Sequence, residues 1–162
     1  MKHLNISTKK YPNTFALIDY DDYKWVSKYK WYVIQSSFYK YARRAVWKEG
    51  KQYIIWLHRE IMNVENNLDV DHINHDGLDN RKENLRICTR SQNMMNQRVY
   101  KNNKSGYKGV YWHKANSYWV SQIRKNKKSI YLGYFKDKTV AAKAYNKAAL
   151  EIFGKYALLN EV

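Results

Sequence analysis

The stretch from Val70 to Asn93 constrains the fold of this chain more than any other part. It opens with a short apolar run that ends in Asp71-His72 and is typical of a strand. A polar loop rich in turn residues follows at 75–80, and residues 85–88 form a second strand-like run. A capped short helix that contains Asn93 comes next. This order of elements predicts that Asp71, His72 and Asn93 lie within reach of one another.

These three side chains suit metal-assisted hydrolysis. The carboxylate of Asp71 and the amide oxygen of Asn93 are the ligands that a hard divalent cation such as Mg²⁺ prefers. The imidazole of His72 can accept a proton from water near neutral pH. The alternative is an ordinary turn, in which such side chains only hydrogen-bond to the local backbone.

The same stretch resembles the HNH endonuclease motif, in the intron- and phage-associated homing branch with the ββα-metal fold. The resemblance rests on Asp71-His72, on the central Asn84-Leu85-Arg86 and on Asn93, where an amide replaces the family's last histidine. It implies that His72 is the general base and that Asp71 and Asn93 hold one Mg²⁺ or Mn²⁺ ion on the scissile phosphate. It also implies that Asn84 pins the loop of the catalytic motif, which spans residues 57–98.

Two further histidines lie near this motif. His58 belongs to a His-Arg pair that also precedes the motif in the resembled family, so it could position a phosphate in the catalytic site. A packed, hydrogen-bonded structural histidine is the equal alternative for His58. We expect His75 to have a loop role, with a phosphate contact as its possible function.

The charge distribution favours a polyanion as partner. The net charge is +16, and residues 1–63 hold 12 Lys/Arg against 5 Asp/Glu, while residues 101–162 hold 13 against 3. The central residues 64–100 hold 5 against 6. Two basic arms therefore flank a nearly neutral, carboxylate-bearing centre, which suits nucleic-acid binding by the arms and metal binding in between. Solubility alone is the alternative explanation of the lysines.

The N-terminal part predicts a small antiparallel sheet with one helix. Residues 1–13 are polar, and we expect them to be loose. Residues 14–57 contain four strand-like runs, with a turn at Ser36-Ser37 that leads into a strand from Phe38 to Trp47. The single cysteine, Cys88, excludes an intrachain disulfide and is expected to be a buried small residue.

No apolar run resembles a signal peptide or is long enough to span a membrane. We therefore expect a protein without a membrane partner, acting on DNA in the host-cell cytosol. Either a monomer or a homodimer would be compatible with a single motif per chain, the first nicking DNA and the second able to cut both strands.

The C-terminal part, after a polar linker at 100–105, predicts a separate domain of three strands and one helix at 106–162. Alternation with period two divides the strands into an apolar face and a polar-aromatic face. In the third strand it puts Ile130, Leu132 and Tyr134 on the apolar face. Asp137 caps the helix, and Gly154 ends it.

This part resembles the APETALA2/ethylene-response-factor type of DNA-binding domain. The resemblance rests on the segments 105–110, 119–124, 131–135 and 141–149. It implies that the sheet lies in the major groove of duplex DNA. By position, the DNA-binding residues would be Lys108, Tyr111, His113, Gln122, Arg124 and Tyr131.

The sequence thus predicts an α+β protein, with a small antiparallel sheet and a ββα-metal motif in residues 1–99 and a separate three-stranded sheet packed on one helix. The predicted function is a homing-type DNA endonuclease with one divalent metal ion and a histidine base. A DNA-binding transcriptional regulator with an inactive nuclease motif is the main alternative, and an RNA-binding protein that stacks bases on its aromatic residues is another.

Overall fold

Short antiparallel sheets make up most of the fold in this computed structural model, which describes residues 1–36 and 39–162. The chain divides into two units, Met1–Arg90 and Ser91–Val162. The mixed α+β class predicted from the sequence is confirmed. The predicted turn at Ser36-Ser37 and the start of the next strand at Phe38 fall partly or wholly outside the described residues.

The described part of the first unit contains three sheets and two short α-helices. Its elements are β1 (Lys2–Asn5), β2 (Phe15–Ile18), α1 (Tyr20–Val26), β3 (Tyr32–Ser36), β4 (Tyr39–Lys48), β5 (Lys51–Trp56), α2 (Leu57–Ile61), β6 (Asp69–His72), a 3₁₀ turn (Lys82–Asn84) and β7 (Leu85–Cys88). The sheets are β1–β2, β3–β4–β5 and β6–β7, all antiparallel. One core of buried side chains, including Ile18, Val26, Leu57 and Val70, contains residues from all three sheets.

The expectation that residues 1–13 are loose was wrong. β1 pairs with β2, and Leu4 and Ile6 lie in the core. The two apolar side chains are two positions apart, as a half-buried strand requires. They were overlooked because so short a strand gives little periodic signal among the surrounding polar residues.

The second unit begins within α3 (Arg90–Met95) and continues with β8 (Val110–His113), β9 (Tyr118–Lys125), β10 (Lys128–Phe135), α4 (Lys138–Phe153) and a 3₁₀ turn (Gly154–Tyr156). The strands form one antiparallel sheet in the order β10–β9–β8. The Asp137 side chain accepts hydrogen bonds from the backbone N–H groups of Thr139 and Val140 and so caps α4. Alanines on α4 allow close packing, and Ala149 is buried in a cluster with Ile123 and Phe153.

A β-bulge in β10 changes the face on which Tyr134 lies. Tyr131 pairs with Gln122, but Gly133 rather than Leu132 pairs with Ser121, so the register shifts by one residue. Tyr134 therefore opposes Val120 on the outer face, away from α4, and is 63% exposed. The expectation that Tyr134 lies on the apolar face was wrong, because the extra residue of a bulge inverts the alternation that follows it.

Residues 100–105, which we expected to be a linker, belong to the second unit. The Ser105 hydroxyl is buried and donates to the Val110 carbonyl oxygen at 2.7 Å. The Asn103 side chain accepts a hydrogen bond from the Gly106 N–H at 2.8 Å. The end of this segment is therefore fixed to the start of the sheet. No helix among the described residues is long and apolar enough to cross a membrane.

Candidate active site

The β6–β7 hairpin places the predicted catalytic pair. Asp71 lies opposite Arg86 and His72 opposite Leu85 in the antiparallel register. Asp71 and His72 are each 7% exposed. Because neighbouring residues of a strand point to opposite faces, the carboxylate and the imidazole leave the backbone in different directions. The two groups therefore have different surroundings although they are adjacent in sequence.

Arg86 holds the carboxylate of Asp71. Its Nε and Nη2 atoms donate to Asp71 Oδ2 at 2.8 and 2.6 Å. Both side chains are largely buried, with 14% and 8% of their surfaces exposed. A buried carboxylate requires such a partner, because an uncompensated charge away from water is very costly. The guanidinium therefore fixes the orientation of Asp71.

The loop between the two strands is fixed by Asn84. Its amide oxygen accepts a hydrogen bond from the Asn74 N–H at 3.0 Å, and its amide nitrogen donates to the Asp79 carbonyl oxygen at 2.8 Å. The Ile73 N–H donates to the Asn84 carbonyl oxygen at 2.9 Å. Asn84 thus links the start of the loop to its end through hydrogen bonds. The residue is buried, at 6% exposure.

Asp79 and Asn80 continue this network. The Asp79 carboxylate accepts hydrogen bonds from Arg81 at 2.7 and 2.8 Å and from Asn74 at 2.9 Å, and these contacts lower the pKa of Asp79. The Asn80 N–H donates to the Leu17 carbonyl oxygen at 2.8 Å, which ties the loop to β2. The Asn80 side chain is completely buried and lies beside the imidazole of His72.

His72 belongs to a cluster of rings. The centroid of its imidazole lies 5.0 Å from that of His58 and 5.8 Å from that of Tyr41. Trp56 completes the cluster, with its ring 6.2 Å from His58 and 6.0 Å from Tyr41. His58 is therefore packed against His72, although the sequence left both a structural role and a phosphate contact open.

Burial controls the charge of both histidines. It lowers the pKa of His58 to about 3, and the neighbouring His72 and Arg59 lower this pKa as well. Burial also lowers the pKa of His72, while the Asn80 amide and the nearby carboxylates, Asp71 first among them, act in the opposite direction. Both imidazoles are consequently neutral near pH 7, which is the form that can accept a proton.

Three other residues that were singled out from the sequence are Asn93, His75 and Cys88. Asn93 is half-buried on α3, in the second unit. His75 has a φ of 63°, and its N–H donates to the His72 carbonyl oxygen at 3.0 Å in the turn that follows β6. Cys88 is buried as expected, and burial raises the pKa of its thiol to about 11.

Five of the six predicted DNA-binding residues share the outer face of the C-terminal sheet. Their register places Tyr111, His113, Gln122, Arg124 and Tyr131 on the side away from α4. Tyr118 and Tyr134 join them there, with ring centroids 5.1 Å apart. We refer to these seven residues as the tyrosine face. Tyr131 is 64% exposed, so its ring is open to a ligand.

Lys108 is not part of the tyrosine face. Its ammonium group donates to the carbonyl oxygens of Met95 and Gln97 at 2.5 and 2.8 Å. Burial lowers the pKa of Lys108 to about 8. A cation in this place compensates the unpaired carbonyl groups at the end of α3. The structure thus places Lys108 in a helix cap rather than where the resemblance assigned it, on the sheet.

The donor set fits a hard divalent cation. Within the described part of the chain, no three His, Cys, Asp or Glu side chains cluster as a metal site. Mg²⁺ does not require such a cluster, since it keeps several waters and takes one or two carboxylates together with substrate phosphates. The largely buried carboxylate of Asp71, in the first unit, agrees with that preference.

Sequence reasoning missed three residues that shape this site, Tyr41, Trp56 and Asn80, and it also missed the pairing of Arg86 with Asp71. Tyr41 and Trp56 lie about 15 to 30 positions before His72, so the spacing of residues around His72 gives no indication of them. The pairing of Arg86 could have been inferred from the hairpin, because a cation opposite a buried carboxylate is a favourable cross-strand pair.

Comparisons with known proteins indicate the family to which the chain is similar. The family model described as HNH endonuclease matches residues 49–95, from the turn between β4 and β5 to α3. A protein of Acanthamoeba polyphaga mimivirus that is named as an uncharacterized HNH endonuclease is 34% identical over 155 residues. The alignment covers 92% of this chain and 76% of the viral protein, and so includes parts of both units. No solved structure matches the chain.

Proposed function

The chain belongs to the HNH endonuclease family, and on that premise we propose that it is a homing-type DNA endonuclease that hydrolyses one phosphodiester bond with His72 as general base. The observation that carries this proposal is the β6–β7 hairpin, which holds Asp71 and His72 in fixed, largely buried positions. The net charge of +16 supports a polyanionic substrate.

In this proposal the residues around His72 prepare it for proton transfer. The ring cluster of Tyr41, Trp56 and His58 excludes water from one side of the imidazole and keeps it neutral. The neutral imidazole accepts the proton of the attacking water as the new P–O bond forms. The Asn84 network holds the backbone that follows His72, so that the ring keeps one orientation during the reaction.

Asp71, oriented by Arg86, is the proposed metal ligand, and Asn93 is the second donor that the motif resemblance assigns. A divalent ion such as Mg²⁺ or Mn²⁺ would stabilise the charge that develops on the phosphate and on the leaving 3′ oxygen. The products would carry 5′-phosphate and 3′-hydroxyl ends. We propose that the chain acts in the host-cell cytosol, as a monomer that nicks DNA or a homodimer that cuts both strands.

The tyrosine face is the proposed DNA-reading surface of the second unit. Gln122 and Arg124 have the hydrogen-bonding groups that read adenine and guanine, respectively, in the major groove. Tyr111, Tyr118, Tyr131 and Tyr134 add hydroxyl groups and apolar ring surface. This composition contains little charge, so we propose that phosphate contacts come from lysines around the face rather than from its centre.

Cleavage of a supercoiled plasmid pool that carries diverse host sequences tests the nuclease. We expect Mg²⁺-dependent nicked or linear product from the wild type, loss of this product with EDTA, and at least a thousandfold lower rate for His72→Ala, in line with losing a catalytic base. His3→Ala is the control, because His3 is exposed on β1, outside the ring cluster. Thermal unfolding of each variant confirms that it is folded.

Undiminished cleavage by folded His72→Ala would contradict the assignment of the base. Tight binding without cleavage in Mg²⁺ or Mn²⁺, for a pool that includes the natural target, would favour the DNA-binding regulator. Preference for single-stranded RNA over duplex DNA in competition would favour the RNA-binding alternative.

A further inference from the structure

The β4–β5 hairpin presents one continuous face that starts at the ring cluster. The register pairs Arg43 with Trp56, Ala45 with Ile54 and Trp47 with Gln52, and strand periodicity places these residues on the same side as Tyr41. We call this set the outer hairpin face; it consists of Tyr41, Arg43, Ala45, Trp47, Gln52, Ile54 and Trp56. The opposite side packs into the first unit, where Ala42 and its partner Val33 are buried.

The outer hairpin face is continuous with the candidate active site. Tyr41 contacts the rings of both His72 and His58, at centroid distances of 5.8 Å. From Tyr41 to Trp47 the strand advances six residues, or roughly 20 Å at the usual rise of a strand. The face therefore leads from the proposed base to the tip of the hairpin.

Large apolar side chains at the outer end of this face lie in solvent. Trp47 is 68% exposed and Ile54 is 38% exposed. Exposed apolar surface of this kind marks an interaction site more often than it serves stability. Arg43 lies on this face, and Lys48 and Lys51 pair next to its tip on the opposite side of the hairpin, so cations border the apolar surface at both ends and complement a polyanion.

We propose that the outer hairpin face binds duplex DNA on one side of the scissile phosphate, with Trp47 as its outermost apolar contact. This inference rests on the proposed function and adds the surface that holds the DNA beside the cut. Basic β-ribbons with apolar tips suit a groove, where ring surface contacts sugars and bases while cations contact phosphates. The length of the face corresponds to about six base pairs at 3.4 Å each.

The hairpin supplies its own control. Tyr53 pairs with Val46 and points to the side opposite Trp47, yet it is also an exposed aromatic residue, at 49%. Trp47→Ala and Tyr53→Ala therefore remove similar surface from the same hairpin but from opposite faces. Neither side chain belongs to the core of the first unit, so neither substitution should unfold the protein.

The test uses the full chain and a random-sequence duplex, so that no target site has to be known. By fluorescence anisotropy at low salt, we expect Trp47→Ala to raise the Kd about tenfold, which corresponds to 1.4 kcal/mol. Tyr53→Ala should leave the Kd within about twofold, a change of less than half a kcal/mol. In parallel, a benzophenone amino acid is introduced at position 47 or 53, and crosslinking to the duplex is measured.

Crosslinking to DNA from position 47 but not from position 53, together with the weaker binding of Trp47→Ala, would support the proposal. Equal Kd values for the two alanine variants, crosslinking from position 53 alone, or crosslinking from position 47 to a second protein chain would overturn it. If the wild type cleaves DNA, but Trp47→Ala does not change the Kd and position 47 does not crosslink to the duplex, only this inference is rejected. Failure of the wild type to bind any duplex would reject the proposed function as well.

Discussion

At the scale of single residues, the pair of Asp71 and Arg86 makes the sharpest prediction. Replacing Arg86 with Met leaves a buried carboxylate without its cation, which typically costs about 3–5 kcal/mol. We therefore expect Arg86→Met to lower the free energy of unfolding by about that amount in urea titrations. Arg90→Met is the control, because the Arg90 side chain is 81% exposed and its contact with Asp69 is long, at 3.4 Å. The control should change stability by less than about 1 kcal/mol.

A double-mutant cycle with Asp71→Leu separates the ion pair from other effects of Arg86. If the pair explains the loss, Asp71→Leu combined with Arg86→Met should be more stable than Arg86→Met alone, since no unpaired charge remains. Additive losses would show that the two side chains do not interact in solution. Arg86 would then not be the residue that orients Asp71.

The sequence predicted the hairpin that contains Asp71 and His72 better than it predicted the surroundings of these two residues. Motif spacing pointed to His72, Asp71 and Asn84, because these residues lie within one hairpin and its loop. The orientation of Asp71 and the burial of His72 depend on Arg86 and on rings from β4 and β5, as well as the buried Asn80. Such contacts join segments that are distant in sequence, and no local pattern specifies them.

At the scale of elements, the loop between β6 and β7 approaches β4 most closely at Gly77. A Cβ atom at this position would lie 2.3 Å from the Lys40 carbonyl oxygen and 2.7 Å from the Tyr41 ring. Since the carbonyl belongs to a paired strand, it cannot easily move away. We expect Gly77→Ala to destabilise the protein by about 3 kcal/mol, the upper end of the usual cost of overpacking.

Gly50→Ala is the matched control for this close approach. Gly50 has a φ of +72° but open space around it, so alanine there costs only the backbone strain of about 1–2 kcal/mol. Thermal or urea unfolding of both variants gives the comparison. If Gly77→Ala is as stable as Gly50→Ala or more stable, the contact between the loop and β4 is contradicted. The position of Tyr41 in the ring cluster is then contradicted as well.

Elements were predicted well wherever alternation was long and uninterrupted. β9 runs from Tyr118 to Lys125, as its pattern indicated, and Asp137 caps α4. The bulge after Tyr131 was not predicted, because Gly133 gives no sign of a register shift until its partners in β9 are known. One extra residue moved Tyr134 from the expected core to the surface, which enlarges the tyrosine face.

At the scale of the whole molecule, composition predicted a polyanionic partner. The two basic arms were evident from counting charges, and no fold was needed for that inference. The chain divides into its two units between residues 90 and 91, and the linker predicted at 100–105 lies within the second unit. Polar residues such as Ser105 satisfy one another through hydrogen bonds and can be part of a folded unit, so polarity alone does not mark a linker.

The last prediction concerns the salt dependence of DNA binding, because the slope of affinity against salt concentration reports the number of phosphate contacts. With about six contacts the affinity should fall by roughly 10³ or more between 50 and 200 mM salt. Lys125 and Lys127 lie exposed at the β9–β10 end of the sheet, beside the tyrosine face, and replacing both with Gln should reduce the slope of log K against log salt by about 1.8 if each contacts one phosphate. Lys143→Gln with Lys147→Gln removes the same charge from exposed positions of α4 and should leave the slope nearly unchanged. Equal slope changes for the two double variants would mean that total charge, and not the tyrosine face, directs the second unit to DNA.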